Sequence, residues 1–439
     1  MEILVKTTQL LLSLSILVIL HEFGHFFFAR LFKTRVEKFY LFFNPWFSLF
    51  KVKRGETEYG LGWLPLGGYV KISGMIDESM DREQMKQPPQ PYEFRSKKSW
   101  QRLLIMLGGI IFNVITAFVI YSFVLFTWGE RYLKTENAVN GIMVDSTGIK
   151  MGLQNGDFIL DIDGQKTENF RLIPHDVIVN NARYIKVLRN GEEKSIPVPE
   201  WIWPELIKNP TFVQPRIPFV VQGFPDESYG KNAGFEIGDR VVAINDSAAV
   251  FYDEVKNGLN THKGQEVVFS VLRKKDTVQI HTRIPDDGLL QIFLETTPDS
   301  FFVMNEKSYG FFESFPAGVE RTFTTLGSYV KQFKLLFQPE TKAYESLGGF
   351  ISIGKIFPAE WDWLAFWSMT AFLSIILAFM NFLPIPALDG GHVLFLLVEM
   401  VTGRKPGDKF LEYAQMVGMF LLIALLLFAN GNDIIKLFK

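Results

Sequence analysis

Residues 17–32 read LVILHEFGHFFFARLF, and how this stretch is taken decides what kind of molecule the chain is. Two histidines and a glutamate stand among residues suited to hydrocarbon, where an unpaired ionisable group is costly to place. Around that stretch the chain is unusually apolar. Of its 439 residues 48% are hydrophobic, 43 are Phe and only 21% are charged, too apolar for an ordinary soluble protein and too charged for one wholly buried in lipid. Membrane spans must therefore alternate with water-exposed domains. A net charge of -2 gives no reason to expect nucleic acid as a partner, and the absence of cysteine excludes disulfides, thiolate metal sites and a cysteine nucleophile.

Runs without charge and long enough to cross a bilayer, about 20 residues, lie at 103–128, 363–388 and 413–432. Thr7 to Ala29 forms a fourth if the segment HEFGH is allowed inside it. No small-residue cleavage site follows the first run, so it reads as a retained span rather than a signal peptide. Between the first and second runs lie fourteen basic residues, from Arg30 to Arg102, whereas Lys6 stands alone before the first. The excess of Lys and Arg places residues 36–98 on the cytoplasmic side. Four spans then put residues 130–360 and both termini outside.

The outer segment repeats itself. DSTGIKMGLQNGDFILDIDG from Asp145 and ESYGKNAGFEIGDRVVAIND from Glu227 align without a gap at an offset of 82, and the segments VLRNGEEKSIPV and VLRKKDTVQIHT follow as strand pairs. The shared pattern resembles PDZ domains, which bind extended peptides by strand addition; a simple spacer is the other reading. Beyond the second copy, Phe312, Phe315, Val319, Phe323, Leu326, Val330, Phe333 and Phe337 recur every three or four residues, with Ser314 as N-cap and Pro316 just inside. This predicts an amphipathic helix on the membrane surface, or else a core helix of a folded domain.

In HEFGH the histidines are four residues apart, about 400° around a helix, so both imidazoles fall on one face and can share a metal ion. Glu22 beside them can act as a general base on water. With six histidines in the chain, such a match is expected by chance at about half a percent, so the motif carries weight. Arg30 lies nine residues on, roughly 13 Å along a helix, so the motif sits at depth. A catalytic zinc takes three protein ligands. The third is sought in NFLPIPALDGGH (381–392), where Pro384 and Pro386 break a span; Asp389 is the candidate, possible also as a helix cap, with His392 second.

HEFGH, YGLGWLPLGGYVKISG (59–74), QRLLIMLGGIIFN (101–113), the tandem repeat and NFLPIPALDGGH together resemble the site-2 protease family of intramembrane zinc metalloproteases, in its bacterial regulator-of-sigma-E-protease branch. The resemblance implies an α-helical polytopic membrane protein with four transmembrane helices, a membrane-associated β-sheet and two β-rich PDZ-like domains. The expected divisions are 1–35 (first span), 36–75 (sheet), 99–129 (second span), 130–215 and 216–290 (PDZ-like domains), 308–345 (amphipathic helix), 363–398 (third span) and 411–432 (fourth). It implies that His21, His25 and Asp389 bind Zn2+, that Glu22 is the catalytic base, and that Asn113 and Asn381 line the cavity or hold substrate. The implied substrates are single-span proteins such as anti-sigma factors, shortened first by a site-1 protease, or signal-peptide remnants. The implied location is the bacterial inner membrane, with the PDZ-like domains periplasmic and the active site toward the cytoplasm. The competing reading is a non-proteolytic membrane PDZ scaffold or chaperone with a structural metal site. A closed structural site normally has four protein ligands and needs no adjacent glutamate.

Overall fold

The structure, a computed structural model, describes residues 1–65, 67–75 and 88–438. Leu66, inside the expected sheet segment, lies outside the described residues. The chain divides into two compact units: Met1–Gly129 with Ser308–Phe333 and Leu347–Lys439, and Glu130–Lys307 with Lys334–Ser346.

The first unit is built on helices α1 (Glu2–Leu31), α2 (Ser99–Trp128), α3 (Phe311–Leu335), α4 (Trp363–Phe382), α5 (Asp389–Thr402) and α6 (Asp408–Leu437). Four of them, α1, α2, α4 and α6, are long and apolar enough to cross a membrane. The expected third span, 363–398, is two helices. Pro384 and Pro386 cannot donate the hydrogen bonds that would continue α4, and the chain turns through Ala387 at φ 80° before α5 begins. Gly390 and Gly391 allow the turn to close, because a Cβ at Gly390 would collide with the carbonyl oxygens of Phe382 and Leu383, and one at Gly391 would lie 2.6 Å from that of Ile385.

α1 and α2 cross with their backbones in contact. A Cβ on Gly24, inside HEFGH, would strike the carbonyl of Gly108, and one on Gly108 would meet the carbonyl of Gly24. Small residues at a crossing let helices approach closely where lipid offers no hydrophobic drive. At one end of the crossing, Ala29, Val36, Ile72 and Ile105 form a buried cluster joining both helices to a four-stranded sheet. Its strands are β1 (Val36–Leu41), β2 (Phe50–Arg54), β3 (Thr57–Leu61) and β4 (Tyr69–Ile72), in the order β2-β3-β1-β4. β1 runs parallel to β3 and antiparallel to β4, and the turn between β2 and β3 has Gly55 at φ 62°. β4 is thus an edge. The loop before β2 leaves Trp46, Phe47 and Leu49 exposed, an apolar tip suited to lipid.

α3 starts earlier than the Ser314–Pro316 signal predicts. Gly310 N–H donates to Glu313 Oε2 (2.9 Å) and Ser314 N–H already bonds the Gly310 carbonyl, so Pro316 falls in the second turn. The glutamate closes the first turn and Pro316 forgoes one helix hydrogen bond. The face of α3 that packs inward is made of small residues: Ser314 and Thr322 are buried, and a Cβ at Gly318 would collide with Ser122 of α2. Phe315 meets Phe118 of α2, and Tyr329 and Phe333 meet Phe379 of α4, while Phe312, Val319 and Phe323 of the apolar stripe stay exposed, as a helix lying against lipid requires.

The second unit holds two cores, one containing Ile142, Ile173, Ile185 and Phe212, the other Val241, Val255, Phe269 and Ile284. Each contains one expected strand pair, Tyr184–Arg189 with Glu192–Pro197 and Glu266–Arg273 with Asp276–Arg283. The internal repeat extends to side-chain chemistry. Asp157 accepts from Arg189 Nε and Nη2, both at 2.7 Å, while Arg189 Nη2 also donates to the Gly152 carbonyl at 2.8 Å. Asp239, Arg273 and Gly234 repeat this with every distance at 2.8 Å. The first core additionally takes in Phe302, Leu335 and Ala343, outside the 130–215 expected from sequence. The strands Glu130–Leu133 and Met304–Lys307 pair antiparallel at the entry and exit of the unit.

Candidate metal centre

His21 and His25 stand on one face of α1, as their spacing requires, and the break between α4 and α5 delivers Asp389 to them. His21 Nε2 and His25 Nε2 are 3.4 Å apart, and Asp389 Oδ2 lies 3.3 Å from each. Donor atoms about 2.05 Å from a tetrahedral zinc lie about 3.3 Å from one another, so the triangle fits a single such ion. Asp389 Oδ2 is buried with no hydrogen-bond partner. A buried, unsatisfied carboxylate oxygen beside two imidazole nitrogens is poorly satisfied by protein and well satisfied by a cation. Among the described residues His21, His25 and Asp389 are the group whose side chains could hold a metal.

The other ring nitrogens are already engaged. His25 Nδ1–H donates to the Ile105 carbonyl of α2 (2.8 Å), leaving Nε2 free. His21 Nδ1 lies 2.9 Å from the side-chain amide of Asn113, which is fully buried. An imidazole that binds through Nε2 carries its proton on Nδ1, so the Asn113 amide must present its oxygen there. That orientation also satisfies Asn113 Oδ1, otherwise without a partner. Ser374 Oγ of α4 donates to the Asn113 carbonyl at 2.8 Å, tying a third helix to this arrangement. Gly109 forms the wall behind the histidines: a Cβ there would lie 2.5 Å from His25 Nε2 and from His21 Cε1.

Asp389 makes no cap. It is the first residue of α5, follows Leu388 at the N-cap, and its side chain accepts no capping hydrogen bond. Its carboxylate turns to the histidines instead.

The three donor atoms open into a cavity of about 490 Å³. Glu22 lines it beside His21 and His25, and Gly68 crowds the Glu22 side chain, since a Cβ at Gly68 would lie 3.3 Å from Glu22 Cγ. β4 contributes Tyr69 to Ile72 to the wall, and Asn381 and His392 line it too. The structure therefore gathers His21, Glu22, His25, Asn381 and Asp389 around one space and sets Asn113 behind His21. Sequence reasoning missed Gly109, Lys38 and Gln415, all at or behind the cavity wall. The Gly108–Gly109 pair facing Gly24 carried a detectable small-residue signal; Lys38 and Gln415 carried none, since only the folded chain brings them here.

The sequence profile of peptidase family M50 matches residues 9–425. The chain is 29% identical to a "Putative zinc metalloprotease" of Vibrio cholerae, over 99% of this chain and all of that protein. It is 27% identical to "Protease RseP" of Yersinia pestis and 26% identical to "Regulator of sigma E protease" of Haemophilus influenzae, in both cases over the full length of both chains.

Proposed function

The chain belongs to peptidase family M50 and is a zinc-dependent site-2 protease acting within the membrane, and we propose that its catalytic centre is the cluster His21, Glu22, His25 and Asp389. The observation that carries this reading is the triangle of donor atoms, 3.3–3.4 Å on each edge, with a carboxylate beside it that is not one of its corners. Three protein donors leave one tetrahedral position for a reactant.

When bound, the zinc ion supplies Lewis-acid polarisation of a carbonyl and a lowered pKa for water. His21, His25 and Asp389 hold it. Ile105 and Asn113 fix the imidazole orientations. Glu22 takes the proton from the attacking water and returns it to the departing amine. Asn381, on the cavity wall, binds substrate backbone.

Substrate is a transmembrane segment, and a helical peptide bond has its carbonyl already hydrogen-bonded. Cleavage requires local unwinding. β4 is an edge strand on the cavity wall, so an unwound segment adds to it by main-chain hydrogen bonds. The apolar tip at Trp46 to Leu49 holds the sheet at the membrane.

The basic residues between α1 and α2 favour a cytoplasmic side for the sheet, with the second unit periplasmic and the inner membrane as location. The two modules of that unit act as PDZ-like domains that exclude bulky ectodomains. Substrates are single-span proteins of the anti-sigma-factor kind, trimmed first by a site-1 protease; relatives named as regulators of sigma E protease support this choice.

Glu22→Gln tests the mechanism. Purified protein should retain zinc at one ion per chain and lose cleavage of a single-span substrate by at least about a hundredfold. Cleavage by zinc-loaded Glu22→Gln at the wild-type rate would remove Glu22 as the base.

A further inference from the structure

The cavity carries more charge than hydrolysis uses. Glu22 and Asp389 stand on its helical side, while Lys38 of β1 and Lys71 of β4 stand on its sheet side. The two lysines are cross-strand partners, and like charges directly opposed on neighbouring strands repel. One of them is neutralised. The β1–β4 register shifts between Val36 and Lys38, leaving Glu37 as the extra residue, and the Glu37 carboxylate lies 3.5 Å from Lys71 Nζ while accepting from Ser73 Oγ at 2.8 Å. Lys38 has no equivalent. Among the described residues nothing forms a hydrogen bond or ion pair with its ammonium, although the side chain is half-buried.

Glu58, its register partner on β3, accepts from the Tyr40 hydroxyl at 2.7 Å and forms no ion pair with Lys38. A half-buried ammonium with no ion pair has lost hydration without compensation, and an entering carboxylate supplies what is missing. We propose that Lys38 is a specificity subsite of the protease, selecting substrates with an acidic side chain close to the cleaved bond. The proposal rests on the reading of this cavity as the proteolytic centre. A peptide is the occupant because β4, the free edge that would align one, forms the same wall. Lys38 is one strand further in, two strand spacings or about 10 Å from an added strand, within the combined reach of a lysine and an aspartate or glutamate. A basic side chain at that point would face the unpaired Lys38 ammonium and be rejected.

The test uses the full-length enzyme in nanodiscs and single-span substrates that differ at one position. Each carries Asp, Ala or Lys at successive positions flanking the cleavage site, which is mapped by mass spectrometry, and kcat/KM is measured for each. The wild type should prefer Asp over Ala by about tenfold at one position and disfavour Lys there. Lys38→Glu should invert that order, and Lys38→Arg should keep it, with zinc content showing that both variants are folded. An unchanged Asp/Ala ratio in zinc-loaded Lys38→Glu overturns the proposal. So does a change only in dependence on anionic lipid, read by exchanging phosphatidylglycerol for phosphatidylcholine, which would give the ammonium to a headgroup phosphate. Cleavage by Glu22→Gln, or no cleavage by the wild type, would count against the catalytic reading itself.

Discussion

At the scale of single residues, the site depends on groups that touch the histidines as much as on the histidines themselves. Asn113 holds His21 by its Nδ1, and the Ile105 carbonyl holds His25. Asn113→Ala should weaken zinc binding by about tenfold to a hundredfold, measured by competition with a chromophoric chelator, while circular dichroism stays unchanged. Gly109→Ala places a methyl group where the imidazoles are and should abolish stoichiometric zinc in a protein that still folds; full zinc occupancy in that variant would refute the wall assigned to Gly109. The histidine pair and its glutamate were readable from spacing alone, because a helix fixes the angle between residues i and i+4. The role of Asn113 was not, because its partner is 92 positions away.

At the scale of elements, breaks and crossings matter more than the regular helices they interrupt. Pro384 and Pro386 end α4 visibly in the sequence, but the direction of the chain afterwards depends on Ala387 at φ 80°, a conformation costing a non-glycine residue about 1 kcal/mol. Ala387→Gly should therefore raise thermal stability modestly, by up to about 1 kcal/mol, with zinc binding retained. The far end of α6 is fixed by a different device. Asp433, 3% exposed, accepts from Gly349 N–H and Ser352 N–H, both at 2.9 Å, and from the Ser352 hydroxyl. Asp433→Ala should leave those donors unpaired at a cost of roughly 1–3 kcal/mol, seen as faster hydrogen exchange confined to Gly349–Ser352. The helix-start signal at Ser314 misled for a related reason: Glu313 reaches back to Gly310 and begins α3 a turn sooner.

At the scale of the whole molecule, the chain inserts one unit within another: the second occupies Glu130–Lys307 and Lys334–Ser346, and the first resumes between and after these segments. Within the second unit, the duplicated Asp–Arg networks make a matched pair of tests. Asp157 and Asp239 are 1% and 0% exposed; removing Asp157 leaves the Arg189 guanidinium without its counter-ion, whereas removing Asp239 leaves Arg273 still paired with Glu236 at 2.6 Å. Asp157→Ala should destabilise its own module by about 3 kcal/mol and Asp239→Ala its own by less, since Glu236 still pairs with Arg273, each read by hydrogen exchange in that module, with the other module unaffected. Equal loss of protection in both modules would show that the two cores unfold together.

The sequence by itself determined the number of apolar spans, the duplication, the i,i+4 histidine pair and the point where the third span breaks. Each of these rests on local periodicity, composition or internal comparison. The proline-broken segment offered Asp389 as the third ligand ahead of His392 and the family resemblance agreed, but only the tertiary structure brought it within 3.3 Å of both imidazoles from about 360 residues away. Backbone contact at Gly24 and Gly108 and the turn at Ala387 set that distance, and neither can be computed from spacing. The same holds for Lys38: whether a lysine in a strand faces solvent, a carboxylate or an empty cavity depends on which strand lies beside it and in what register.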